Sequence, residues 1–125
     1  MAINIPDTQP HFSPTLEANG FVFVSGQFGM DAAGRIEGGI AEQTTQCLSV
    51  VEGLLAARGL NRRDIVKTTV WLRRENEFPV YNAAYAAFFG DHRPARSTLI
   101  CALAKPEALV EIEAIALARP ATAKA

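Results

Sequence analysis

From Val110 to Leu117 the sequence reads VEIEAIAL. With the two-residue period of a strand, Val110, Ile112, Ala114 and Ala116 form one face, and Glu111, Glu113, Ile115 and Leu117 form the other. Two carboxylates thus share a strand face with two large apolar side chains, an arrangement that plain strand packing does not account for. Other strand-forming stretches repeat the theme. Leu99, Cys101 and Leu103 oppose Ile100, and Trp71 opposes Val70. A sheet apolar on both sides needs cover on both sides.

The cover for one side is legible. Ile40, Thr44, Cys47, Leu48, Val51, Leu54 and Leu55 recur at spacings of three and four and predict an amphipathic helix, ended by Gly59 as a left-handed cap. A second helix is expected after Asn76 as its cap, with Pro79 in the first turn, Tyr81, Ala84, Tyr85 and Phe88 as the buried stripe, and Gly90 closing it. Strands are expected at 21–25, near 35–37, at 64–74 (with Val66, Thr68, Val70 and Leu72 on one face), at 97–103 and at 109–117, the last two forming an antiparallel hairpin around Pro106. Residues 1–18 read as irregular and the tail after 118 as frayed. The order is β-β-α-β-α-β-β in a single domain spanning residues 1–125, an α+β mixed β-sheet with two helices packed on one face. Two helices leave the second sheet face to a partner subunit.

Charge and motif content exclude several function classes. A formal net charge of -1 offers no basic patch for nucleic acid or anionic membranes. The amino terminus lacks the pattern of a secretory signal, so the expected location is cytoplasmic. Cys47 and Cys101 are far apart without a CxxC, and His11 and His92 are isolated, so no metal site is expected. The glycines at 26, 29, 34, 38 and 39 make no phosphate-binding pattern, and VSGQ is not a nucleophile elbow. What remains is a polar set at element ends: Ser25 and Gly26, Asn82, Arg96 and Thr98, and Glu111. Each alone reads as a solvated terminus or surface residue.

Together they fit a pattern. PARSTLICALAKPEALVEIEAIA resembles the C-terminal signature of the Rid family of reactive intermediate deaminases, also called the YjgF or L-PSP family, and NGFVFVSGQ resembles its N-terminal strand. The segments EQTTQCLSVVEGLLAARG, DIVKTTVWL and VYNAAYAAFFG match the family's helix, strand and helix in order. The resemblance implies a chorismate-mutase-like fold assembled as a homotrimer with a cleft at each subunit interface. It also implies hydrolysis of 2-enamine or 2-imino acids, such as 2-aminoacrylate and 2-iminobutanoate, to 2-keto acids and ammonia without a cofactor.

In that frame Arg96 would bind the substrate carboxylate through its two-pronged donor fork and Glu111 would orient or deprotonate water. Phe12, Ser25, Gly26, Asn82 and Thr98 would line the pocket, and Glu113 would make structural or interface hydrogen bonds. Two positions depart from the family's pattern: Phe12 stands where many deaminases carry a tyrosine, and Thr98 where many carry a cysteine. The alternatives are a small-molecule or protein-binding trimer without turnover and, opposed by the absence of a basic patch, an endoribonuclease.

Overall fold

The computed structural model describes residues 10–119. Its first hairpin joins β1 (Thr15–Ala18) to β2 (Phe21–Phe28) through Asn19 and Gly20. Both turn residues have positive φ, 53° and 86°. A two-residue turn with left-handed backbone at both central positions twists with the strands it joins, and Asn-Gly is the dipeptide that tolerates it best. The expectation of irregular chain up to residue 18 is therefore corrected: Thr15–Ala18 is a strand. The strand expected near 35–37 contracts to one bridge, Met30 with Ile36. There the Asp31 carboxylate accepts from the backbone N–H of Ala33 and Arg35, both at 2.9 Å, so a side chain closes the turn and no ladder forms.

Helix α1 (Ile40–Ala56) begins where Glu42 reaches back to the Gly39 N–H at 2.8 Å. It buries Ile40, Thr44, Cys47, Leu48, Val51 and Leu55 against β2 and β5. Beyond its last turn Gly59 takes the left-handed conformation expected of it. Strand β3 (Ile65–Leu72) turns Thr68, Val70 and Leu72 inward, whereas a register shift between Ile65 and Lys67 leaves Val66 exposed, against the expected alternation. Helix α2 (Phe78–Phe89) carries Pro79 in its first turn and ends at Gly90. Glu77, not Asn76, is its first flanking residue, and Asn76 lies in a short 3-10 turn instead. The inward stripe is Tyr81, Tyr85 and Phe89; Phe88 is turned aside beneath the Arg62 guanidinium, 3.8 Å from its ring centre.

The expected hairpin of the last two strands does not form. The sheet order is β1-β2-β5-β3-β4, with β4 (Ala95–Ile100) parallel to β3 and β5 (Val110–Leu117) antiparallel to both β2 and β3. Residues 101–109 cross the end of β3 rather than turning back on β4. Cys101 N–H donates to Leu72 O and Arg73 N–H to Leu109 O, each at 3.0 Å, while the Arg73 guanidinium donates to the carbonyls of Lys105 and Ala108 at 2.8 Å. This arrangement gives the most apolar strand a central place with both edges paired, and sends β4, with exposed Leu99 and Ile100, to the sheet edge.

Both helices lie on one face of the mixed sheet, over a core that includes Val22, Val24, Val70, Leu72, Val110 and Ile112. The other face carries Leu16, Phe21, Phe23, Leu99 and Leu117, between 38% and 60% exposed in the isolated chain. Among the described residues no helix is long and apolar enough to cross a membrane.

Candidate active site

A break in the β2–β5 ladder builds one half of the site. Val24 pairs with Ala114 and Gln27 with Ile112, so Ser25 and Gly26 together oppose Glu113. Ser25 N–H donates to Pro14 O at 2.9 Å and Ser25 Oγ donates to Ser13 O at 2.7 Å. These two bonds moor the segment that carries Phe12, whose ring is 60% exposed.

Gly26 leaves room for Glu111 in its present position: a Cβ there would overlap the Glu111 carboxylate, which would have to move. Gly26, Trp71, Cys101, Glu111 and Glu113 line a pocket of about 360 Å³ on the helix-free face. Burial, and secondarily the neighbouring Glu113 charge, hold the Glu111 carboxyl above the ordinary carboxylate range. Gly26→Ala is expected to preserve the fold and push the Glu111 carboxylate outward, lowering its pKa toward the ordinary value of about 4.3. A carbon-detected NMR titration of the Glu111 carboxyl reads this directly. An unchanged titration would mean that the added methyl is accommodated without moving it.

Strand β4 and helix α2 build the second half. Arg96 pairs in register with Thr68, whose side chain is buried on the helix side. Its guanidinium carbon lies 4.7 Å from the ring centre of Tyr85, 5.3 Å from Tyr81 and 5.8 Å from Phe78. Aromatic faces attract a cation without neutralising it, and Arg96 joins none of the ion pairs among the described residues.

The rings are themselves pinned. Tyr85 OH and Thr68 Oγ1 are 2.7 Å apart, and Tyr81 OH and Thr98 Oγ1 are 2.9 Å apart. Burial raises both tyrosine pKa values, which keeps the phenols protonated. Thr98 therefore uses its hydroxyl on Tyr81. Asn82, Tyr85, Phe89, His92, Arg93 and Arg96 line a second pocket of about 500 Å³.

The structure thus sorts the expected site residues into two sets. Ser25, Gly26 and Glu111 gather at the ladder break, with Phe12 on the segment moored there; Asn82, Arg96 and Thr98 gather around α2 and β4. Arg96 and Glu111 are not neighbours on one hairpin, because β3 separates their strands. They also point to opposite sheet faces: Arg96 is in register with Thr68 of the core face, and Glu111 with Trp71 of the other.

Sequence reasoning passed over the tyrosine support, since Tyr81 and Tyr85 read simply as helix stripe. The available signal was chemical: a buried phenol needs a hydrogen-bond partner, and each found a strand threonine. It likewise passed over Trp71 and Cys101 as pocket walls and Arg93 as a pocket residue.

Comparison with known proteins agrees with this architecture. The family model described as Endoribonuclease L-PSP matches residues 2–118. A RutC family protein of Pyrococcus horikoshii is 36% identical over 115 residues, covering 90% of this chain and 91% of the relative. The 2-iminobutanoate/2-iminopropanoate deaminase of Escherichia coli K12 is 35% identical over 120 residues, covering 93% and 94%. The crystal structure of the YjgF gene product of E. coli superimposes with a TM-score of 0.82 at 35% identity, over 90% of this chain and 91% of that one. With the same fold, the matched length and the signature stretches all in agreement, the chain belongs to the L-PSP family, also known as the YjgF or Rid family.

Proposed function

We propose that the protein is a cytoplasmic homotrimer that hydrolyses 2-imino and 2-enamine acids, such as 2-iminobutanoate and 2-aminoacrylate, to 2-keto acids and ammonia. The observation that carries this reading is Arg96, a half-buried guanidinium resting on tyrosine faces with no carboxylate partner among the described residues. Such a cation is ready for an anion from outside, and its planar fork matches a carboxylate. Relatives named as 2-iminobutanoate/2-iminopropanoate deaminases support the substrate class.

The site is shared between protomers in this reading. The open face of one protomer, with exposed Phe21, Phe23 and Leu117, is covered by its neighbours, and Glu111 on that face meets Arg96 of the adjacent protomer in a cleft. Arg96 holds the substrate carboxylate, with Asn82 beside it. Glu111 takes a proton from water as the water oxygen bonds to the imine carbon. The C=N electron pair moves to the protonated imine nitrogen, giving a carbinolamine; a 2-enamine enters as its 2-imino tautomer. Glu111 then returns its proton to the nitrogen, the C–N bond breaks to release ammonia, and Glu111 takes the hydroxyl proton as the carbonyl forms. Phe12 packs over the small substrate, and backbone groups at Ser25 and Gly26 face it. Neither a metal nor a cofactor enters the scheme.

The experiment is to generate 2-iminobutanoate in situ and follow ammonia and 2-ketobutanoate. Release accelerated over spontaneous hydrolysis is expected; no acceleration would contradict the proposal. Sedimentation equilibrium should give three times the chain mass of 13.5 kDa, and a monomer mass at micromolar concentration would remove the shared cleft. A trimer that only binds ligands is the second reading. Phe12, a ring without the hydroxyl common in the family, is the observation that favours it, and a bound 2-keto acid without imine turnover would establish it.

A further inference from the structure

Arg96 is not alone in lacking an anion. Arg35, Arg58, Arg62, Arg63, Arg74 and Arg119 each lie against a carboxylate, and Arg73 donates to two backbone carbonyls. That leaves Arg93 and Arg96 as the arginines with neither kind of partner among the described residues, and both line the same pocket of about 500 Å³. Among the described residues no carboxylate lines that pocket. Its other polar side chains do not balance the charge: Asn82 is neutral, and His92 Nε2 is engaged with Ile65 O at 2.8 Å.

We propose that the substrate is a 2-imino acid with a second carboxylate on its side chain, the 2-carboxylate held by Arg96 and the distal one by Arg93. This rests on the deaminase reading and specifies its substrate class. Among the described residues of one protomer no anion meets either guanidinium, and the adjacent protomer's Glu111, engaged with the water beside Arg96, leaves Arg93 for a second carboxylate on the substrate. With Pro94 and Ala95 between them, their Cα atoms are at most about 10 Å apart, so both side chains can be directed at the two ends of one short dicarboxylate. Pro94 also restricts Arg93 to extended backbone, which limits the directions its side chain can take. Arg96 is half-buried against Tyr85, whereas Arg93 is exposed at the rim. Tyr85 and Phe89 give the carbon chain between the two carboxylates an apolar wall.

The test uses the stable keto acids that the reaction would release, so that binding is read apart from turnover. Calorimetric titration of the parent protein should give a Kd for 2-ketoglutarate about tenfold or more below that for 2-ketobutanoate. Arg93→Ala and Arg93→Gln should bring the two Kd values within about twofold, mainly by weakening 2-ketoglutarate, whereas Arg96→Ala should weaken both acids. Equal Kd values in the parent overturn the proposal, as does an Arg93→Ala protein that keeps the preference. An Arg93→Ala chain that sediments at lower mass than the parent also overturns it, since Arg93 would then pair with a neighbouring protomer. Hydrolysis of 2-iminoglutarate and 2-iminobutanoate is followed in parallel. Turnover of neither defeats the deaminase reading, while the ratio of Kd values still decides this one.

Discussion

Arg96→Ala is expected to lower kcat/KM for 2-iminobutanoate by about 30-fold to several thousand-fold. Removing one partner of a desolvated charge pair costs about 2 to 5 kcal/mol, and each 1.4 kcal/mol is about tenfold in rate. Folding should be little affected. Arg96 contributes cation–π contacts to Tyr81 and Tyr85, but those rings stay pinned by Thr98 and Thr68 and packed in the core. The expected loss of stability is on the order of 1 kcal/mol. Arg96→Lys keeps a charge and loses the planar fork, so it should recover only part of the activity. Steady-state kinetics beside thermal unfolding of the same preparations separates the two effects. Parent-like turnover by a folded Arg96→Ala protein would show that the carboxylate is held elsewhere.

Glu111→Gln should act on a different parameter. It keeps the shape of the carboxylate and removes the base, so kcat should fall by about 10²- to 10⁴-fold with a smaller change in KM. The pH dependence follows from the raised Glu111 pKa. Only ionised Glu111 accepts a proton from water, so activity rises as pH rises through its folded pKa. In the assembled cleft the Arg96 guanidinium of the adjacent protomer opposes this raising effect, so the expectation concerns the change in the acid limb on removing the Glu113 charge, not its absolute position. Glu113→Gln removes a neighbouring negative charge, makes ionisation of Glu111 easier, and should move that limb to lower pH. A limb that stays in place would assign the shift to burial alone.

The parts of the fold that were readable in advance are those whose local chemistry and tertiary role agree. The α1 stripe from Ile40 to Leu55, the caps at Gly59 and Gly90, and the alternation from Val110 to Ala116 all describe local geometry that packing then used. Strand neighbours were not readable in this way. The pairing of β5 with β2 and β3 depends on Arg73 and the 101–109 segment bridging the end of β3, and no periodicity encodes such a crossing. Asn19-Gly20 did carry a hairpin signal, but the four-residue strand before it is short and mostly exposed, with little apolar pattern to mark it.

The candidate site shows the same division. Taken singly, Arg96, Glu111 and Glu113 read as solvated residues at element ends, and the resemblance of the signature stretches is what gave them roles. Their spatial grouping depended on the sheet order. One hairpin would have put Arg96 and Glu111 together within a chain, whereas the observed order sends them to opposite faces. In the proposed trimer it is the helix-free apolar face, inferred from side-chain parity, that reconciles them, by packing against neighbouring copies.

The most direct test of that shared cleft is subunit complementation. Arg96→Ala and Glu111→Gln proteins, each strongly impaired alone, are mixed one to one, unfolded and refolded together. If every site takes Arg96 from one protomer and Glu111 from the next, random assembly gives about a quarter of the sites both native residues, and about a quarter of parent activity should return. If both residues act from the same protomer, every site in every mixed trimer carries a lesion. Activity that stays at the level of the separate variants, in mixtures shown by mass spectrometry to contain hetero-trimers, would contradict the account.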